Sequence, residues 1–524
     1  MTDTSTTESV PRAGQREWLG LAVLALPTLL LSVDMSVLYL AVPHLAADLA
    51  PSSSQLLWIM DIYAFMIAGF LITMGTLGDR IGRRRLLLIG AAAFGVASVL
   101  AAFSTGAGML IAARTALGLA GATLMPSTLA LISTMFAHPK QRAVAIAVWM
   151  SCFTGGAAVG PVVGGLLLQW FWWGSVFLLG VPVMALLLVA APLLLPEYRN
   201  PNAGRLDLFS VALSLATILP IVYGLKELAK GDPAAAPFVA IVLGAAAGAG
   251  FVRRQLRLTD PLLDLRLFRN RAFSTALGVM MVSTLAMGGM FMLISQYLQL
   301  VNGLSPLEAG LWLVPPSVAM ITVTLLAPAI AQRIGRGTVI GSGMVIAAAG
   351  FGLLTQASPD GGPVVAVVGQ TIVAAGLGPG AALLAGVIVG SAPKEKAGSA
   401  AAVSETSGEL GMALGVALLG SITTAVYRGA ISLPGGIPAD AETAARDTLA
   451  GASAAAEGLP ASMAAQLLEP AREAFTQGMG AAAGLGAGAA AVFGVLAIVL
   501  LRQSGASDDP RPDDTAEPAE QPAG

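Results

Sequence analysis

Fourteen stretches of about 18 or more mostly apolar residues follow one another along this chain, each long enough to cross the hydrocarbon core of a bilayer. They lie near 18–42, 55–77, 86–105, 108–133, 143–168, 172–195, 207–228, 234–252, 273–299, 308–331, 338–357, 363–391, 398–427 and 475–501. In lipid, every backbone N–H and C=O must be satisfied within the spanning element, so such stretches form helices. The sequence therefore predicts an all-α integral membrane protein with 14 transmembrane helices. With 56% hydrophobic and only 11% charged residues, the chain has too little polar surface for a soluble protein carrying one anchor. The first stretch exceeds a signal-peptide core and lacks a cleavage site, and is read as an uncleaved span.

Basic residues set the orientation, because cytoplasmic loops hold the Lys and Arg excess. With the N-terminus inside, 22 of the 28 fall on the cytoplasmic side, among them Arg80, Arg83, Arg84, Arg85, Lys140, Arg142, Lys394 and Lys396. Five fall outside and Arg114 is buried, so both termini are expected in the cytoplasm. The loops also divide the chain. A cytoplasmic tail (1–16) precedes an N-terminal six-helix half (17–200) and two inserted central spans (207–252). A C-terminal six-helix half (273–502) follows, with an Ala-, Gly- and Pro-rich outer loop at 428–474 that has room for short helices. Residues 503–524 read as a disordered cytoplasmic tail. An internal repeat supports this partition: GTLGDRIGRRR after span 2 returns as PAIAQRIGRGT after span 10, aligning Asp79, Arg80, Gly82 and Arg83 with Gln332, Arg333, Gly335 and Arg336. Parallel halves of six spans are an architecture of secondary transporters.

Charges within the spans are few. Asp34, Asp61 and Arg114 are each alone in spans 1, 2 and 4, and a rise of ~1.5 Å per residue puts all three roughly 9–12 Å below the outer surface. A lone charge in mid-bilayer costs at least ~2.5–3.5 kcal/mol, so such groups face a partner, a cavity or an ion pathway. Either a structural ion pair clipping helices together or a proton-handling cluster satisfies that demand. Glu405 and Glu409, four residues apart, share a face of span 13 roughly 10–16 Å from its inner end. Gly156, Gly160 and Gly164 form a small-residue face on span 5 that allows close helix approach, and Pro161 removes a backbone donor there. Gly75, Gly78 and Gly82 allow a tight turn after span 2, where Asp79 can pair with Arg83.

Other chemistry is excluded. One cysteine, Cys152, rules out an internal disulfide framework and a cysteine-cluster metal site. No G-x-x-x-x-G-K-[ST] loop is present for ATP. The net charge of −2 and the lack of a basic, aromatic-interleaved patch give no nucleic-acid partner. No metal or cofactor is expected, nothing suggests an enzyme, and a monomer is expected.

GTLGDRIGRRR, LIAARTALGLAGA around Arg114 and GAAVGPVVGGLL (156–167) together resemble the three signature motifs of the major facilitator superfamily, the third being that of its antiporters. With fourteen spans, SVDMSVLYLAVP and LLWIMDIYAF, the chain resembles the superfamily's fourteen-span drug:proton antiporters, above all exporters of quaternary ammonium compounds and other drugs. The resemblance implies proton-driven export of lipophilic cations across the cytoplasmic membrane. It makes the loop of Gly75, Asp79, Arg80, Gly82 and Arg83 a conformational latch, and the glycine face with Pro161 a dry contact able to seal a proton leak. Asp34, Asp61, Arg114, Glu405 and Glu409 become proton-coupling candidates. Asp34, Asp61 and Glu409, with Trp58, Tyr63, Trp149, Phe153, Met287 and Phe291, become substrate-binding candidates, since aromatic faces attract quaternary ammonium groups and methionine adapts to varied cargo. Phe65 and the other methionines of span 9, Met280, Met281, Met290 and Met292, extend that surface. Trp170, Trp172 and Trp173 read as an interfacial belt. Two alternatives stand beside this reading: a same-fold exporter of a specific natural product, lipid or amino acid, and a non-transporting membrane sensor.

Overall fold

The computed structural model describes residues 12–197, 199, 207–229, 235–258, 261, 263, 265–391, 397–433 and 437–501. The described residues form an all-helical bundle. The first half comprises α1 (Gln15–Leu49), α2 (Ser53–Ile81), α3 (Arg83–Ala102), α4 (Ala107–Met135), α5 (Pro139–Trp170), α6 (Ser175–Leu178) and α7 (Gly180–Leu194). The inserted pair is α8 (Leu208–Ala229) and α9 (Ala235–Gln255). Then come α10 (Arg271–Gln296), α11 (Pro306–Trp312), α12 (Val314–Ile334), α13 (Arg336–Leu354), α14 (Val364–Gly390), α15 (Ala397–Ala430), α16 (Ala439–Asp447), α17 (Leu449–Ala456) and α18 (Ala461–Leu501).

Thirteen spans of this bundle are long and apolar enough to cross a membrane among the described residues. The fourteenth predicted span is α5, a 32-residue helix with two shorter apolar stretches, Val144–Phe153 and Val159–Trp170, on either side of Gly155 and Gly156. Two spans predicted as continuous are interrupted. Span 6 breaks at Leu179 into α6 and α7, and span 10 at Leu313 into α11 and α12, where Pro315 and Pro316 remove backbone donors at the start of α12. The outer loop is mostly helical: α16 and α17 fill its middle, and α18 begins at Ala461 rather than near 475. Helical continuity through SMAAQLLEPAREAF outweighs the polarity that marked those residues as loop. Residues 1–11 of the N-terminal tail, the C-terminal tail, the 200–206 segment, Lys394 and Lys396 lie outside the described residues, while α1 already begins at Gln15 within the predicted tail.

The repeat predicted from the sequence is written in the backbone. Gly82 joins α2 to α3 at φ +112° and Gly335 joins α12 to α13 at φ +86°, each preceded by Ile and followed by Arg. Both adopt positive φ, where a Cβ is strained. Helix α1 begins and α18 ends at one end of the bundle, called proximal here, and α16 and α17 cap the distal end.

Within the first half, α5 lies on α1 along the predicted glycine face. A Cβ on Gly156 would sit 2.5 Å from the Leu29 carbonyl oxygen, one on Gly164 2.8 Å from Val37 Cγ1, and one on Gly160 would collide with the Ser36 hydroxyl. α8 and α9 form a hairpin with equally close glycine contacts: a Cβ on Gly224 would come 2.6 Å from the Pro237 carbonyl, and one on Gly244 2.8 Å from that of Thr217. At the proximal end Arg254 Nη2 donates to Asp207 Oδ1 at 2.9 Å and Gln255 Nε2 to Ser210 Oγ at 2.7 Å, clasping the hairpin shut.

Candidate functional site

The three lone charges predicted to share one depth do so. Arg114 of α4, 1% exposed, donates from Nη1 to Asp34 Oδ2 of α1 at 2.9 Å and from Nε to the Ile59 carbonyl of α2 at 3.2 Å. Its guanidinium stacks over the Tyr63 ring at 4.4 Å, with Phe177 at 5.9 Å. Asp61, also 1% exposed, lines a small cavity together with Arg114, Tyr39 and Tyr63. The opposite wall belongs to the second half: Met412, Ala413 and Val416 of α15. The charges thus sit where the two halves meet. The cavity measures about 10 Å³, room for about one water, so this state keeps its charges buried and leaves no space there for a drug-sized molecule.

Sealing is tightest at the distal end. A Cβ on Gly165 would lie 2.7 Å from Leu307 Cα of α11, and Gly310 of α11 lies against the Pro161 carbonyl. Ser295 Oγ of α10 donates to the Tyr39 carbonyl of α1 at 3.1 Å, and Phe291 meets the Tyr39 ring edge to face at 5.3 Å. The backbone N–H of Ser53, in the first turn of α2, donates to Asp447 of α16 at 2.8 Å. Each contact joins one half to the other.

Glu405 and Glu409 lie proximal to the cavity on α15, both half-buried. One helical turn separates Glu409 from Met412, so the span-13 acids lead toward Asp61 from below. Glu409 Oε2 is shielded from solvent and accepts no hydrogen bond among the described residues. A buried acceptor without a donor is costly.

The aromatic and methionine predictions divide. Tyr63 lines the cavity and Phe291 reaches it through Tyr39. Trp58 packs on Phe65 at 6.4 Å, one layer away. Trp149 is buried inside the first half, its indole N–H donating to Thr128 Oγ1 at 3.2 Å, while Phe153 and Met287 pack against the core; none of the three lines the cavity. The methionines that do, Met35, Met60 and Met412, lie on spans 1, 2 and 13 rather than span 9. Their spacing was readable: Met35 and Met60 adjoin Asp34 and Asp61, and Met412 follows Glu409 by three residues. Tyr39 was missed as well, although it stands five residues, or about 1.4 turns, beyond Asp34. In the aromatic belt Trp170 and Trp172 are exposed, but Trp173 is buried and donates from Nε1 to Asp48 Oδ2 at 2.6 Å.

At the proximal end the latch residues assemble. Arg83 Nε donates to Asp79 Oδ1 at 2.8 Å, and Nη1 reaches the Pro126 carbonyl of α4 at 3.4 Å. Glu197, after α7, accepts from the Arg84 backbone N–H at 3.2 Å and crowds Gly82, where a Cβ would lie 2.7 Å from Glu197 Cδ. Arg80 is exposed, and a Cβ on Gly75 would meet Pro126 Cβ at an ordinary 3.8 Å. Just ahead of α8, whose span begins at Leu208 rather than 207, desolvation pushes the Asp207 carboxyl up, but hydrogen bonds from Ser210 and Arg254 and the Arg254 charge outweigh it and hold the group below the usual carboxylate range.

Two alike helical halves closing over a sealed charge cluster in a membrane-spanning bundle define a solute transporter. The sequence model of the Major Facilitator Superfamily matches residues 24–416, and the chain belongs to that superfamily. It is a membrane transport protein and not an enzyme. It is 45% identical over 494 residues to the multidrug efflux pump LfrA of Mycolicibacterium smegmatis, covering 93% of this chain and 98% of that protein. It is 36% identical over 467 residues to the methyl viologen resistance protein SmvA of Salmonella typhimurium, covering 88% and 93%. In fold it is similar to a bacterial homologue of the human lysosomal transporter Spinster, solved inward-facing and unoccupied, with a TM-score of 0.65 at 18% identity over 94% of this chain and 98% of that one.

Proposed function

We propose that the protein is a proton-coupled antiporter that exports lipophilic, mostly cationic drugs and antiseptics, quaternary ammonium compounds and dyes among them, out of the cytoplasm. The observation that carries this reading is the buried Arg114–Asp34 pair with Asp61 beside it at the meeting of the two halves. A carboxylate can be neutralised there by Arg114, by a proton or by a cationic drug, and occupancy by one disfavours the others. Exchange follows if the neutralised forms reorient and a form with a bare charge does so slowly. The aromatic rings of Tyr39 and Tyr63 and the thioethers of Met35, Met60 and Met412 supply an adaptable apolar lining once the cavity widens.

In this reading the proximal end is cytoplasmic, in keeping with the distribution of basic residues, and the distal seal is the closed outer gate of a carrier working as a monomer. The names of the two relatives, a multidrug efflux pump and a methyl viologen resistance protein, support drugs and cations as cargo. Methyl viologen is a dication, and Asp61 with Glu409 offers the two countercharges that such a cargo needs in a desolvated site. A monocation needs only one, so ethidium and benzalkonium are expected to be preferred over bisguanidine or diamidine dications. Ethidium efflux from cells expressing the chain tests the reading. It should exceed that of control cells and collapse when a protonophore is added; efflux unaffected by the protonophore would exclude proton coupling.

A further inference from the structure

A two-half carrier has two seams through which the membrane can reach its interior. Here they are α2 against α15, and α5 against α11 and α12. The structure treats them differently. Over the first seam lies the inserted helix α8: Ile218, Leu219 and Val222 form one apolar cluster with Ala64 and Phe65 of α2 and Ala413 and Ala417 of α15. Ala64 and Ala413 are also cavity wall, so α8 stands directly behind the wall on the lipid side. Further toward the proximal end, a Cβ on Gly69 of α2 would lie 2.7 Å from Leu215 Cδ2, so α8 continues to cover the seam there.

Among the described residues, no third helix covers the other seam. It is closed at its distal end by the contacts of Gly165 and Gly310. The face of α12 that continues from Gly310 at helical spacing then opens by steps: Val314, Ser317 and Ile321 are half-buried, while Leu325 is 73% exposed and Pro328 is exposed. Leu325 lies about 2.5 turns from the proximal end of its helix and Glu405 about 2.2 turns from that of α15, so an apolar lip and a carboxylate share one level.

We infer that the inserted hairpin makes lateral access one-sided. Helix α8 plugs the α2–α15 seam, and lipophilic cations dissolved in the proximal leaflet enter between α5 and α12 toward Glu405 and Glu409. This inference rests on the export reading above. A lipophilic cation is the occupant that the chemistry selects, since its apolar part matches the lip and its charge matches the acids behind it. A hydrophilic cation has no reason to use the seam and reaches the same acids from the aqueous side.

The experiment places a cation on either side at matched depth, Leu325→Arg on α12 and Ala216→Arg on the exposed face of α8. Efflux is followed for two substrates: a membrane-partitioned monocation, trimethylammonium-diphenylhexatriene, and water-borne methyl viologen. Leu325→Arg should slow export of the first at least fivefold and leave the second within twofold of the parent. Ala216→Arg should leave both within twofold. Unequal loss at Leu325 together with silence at Ala216 supports the one-sided portal. Equal loss of both substrates in Leu325→Arg, no loss of either, or selective loss of the first in Ala216→Arg overturns it. If the parent exports neither substrate, the export reading itself fails, which is a different result.

Discussion

Adjacent glycines on α5 should respond to the same substitution with opposite signs. Gly155 faces open space, whereas a Cβ on Gly156 would stand 2.5 Å from the Leu29 carbonyl oxygen and 3.0 Å from Ser32 Cβ. Alanine at 155 therefore gains helix propensity, about 0.5–1 kcal/mol, and meets nothing. At 156 the obstacle is backbone, so α5 must move from α1 by about 0.9 Å to restore an ordinary contact of 3.4 Å. A gap of that size forfeits roughly a quarter to a half of each dispersion contact of ~0.1–0.2 kcal/mol. Over a seam of roughly 30 atom pairs the loss is about 1–2 kcal/mol, within the range of ~1–3 kcal/mol for overpacked interiors. Thermal unfolding in detergent, followed by labelling of the single cysteine Cys152, reads both signs. Gly156→Ala should unfold about 1–3 °C lower and Gly155→Ala no lower than the parent. Equal shifts, or a larger loss at 155, would refute the close α1–α5 contact.

Three further outcomes follow from the site and the latch. Reporter fusions at Pro201 and Gly524 should both report cytoplasm; an external signal at either breaks the fourteen-span orientation. Asp61→Asn and Glu409→Gln should each reduce methyl viologen export several-fold more than ethidium export, and equal losses would assign these acids to the proton step alone. Gly82→Ala should lower stability more than Gly335→Ala: both strain a positive φ, at a cost of about 1–2 kcal/mol, but only Gly82 also meets a carboxylate, that of Glu197, while Gly335 has nothing within 4 Å. The same loss for the two, measured by thermal unfolding, would contradict the role given to Glu197.

Sequence carried the charges further than the lining. A lone Asp or Arg in an apolar span has few solutions, so Asp34, Asp61 and Arg114 were legible from cost alone and the structure brings them together. The glycines on α5 and the paired Gly82 and Gly335 were legible for a similar reason, since close approach and positive φ admit few residues. Aromatic and methionine side chains carry no such constraint: Trp149 satisfies its indole inside its own half as readily as at a cavity, and nothing in its spacing says which. Helix breaks at Leu179 and Leu313 escaped because apolar composition is continuous across them. The distal helices α16 and α17 were expected only as short helices somewhere in the outer loop; their bounds stayed hidden because polar residues such as Asp440, Glu442 and Arg446 cover α16, which docks by a few buried alanines. The covering of one seam by α8 depends on packing between segments about 150–200 residues apart, which no local pattern records.

The central claim is that protons and cationic substrates compete for carboxylates held at the meeting of the two halves. Purified protein in liposomes containing a pH-sensitive dye tests it most directly. Adding ethidium on one side of the parent protein should release protons, and Asp34→Asn should abolish that release while the protein remains folded and inserted. Arg114→Ala, which removes the partner that competes for Asp34, should reduce it nearly as far. Ethidium-driven proton release of parental size from Asp34→Asn would contradict the account and leave the Arg114–Asp34 pair a structural clip.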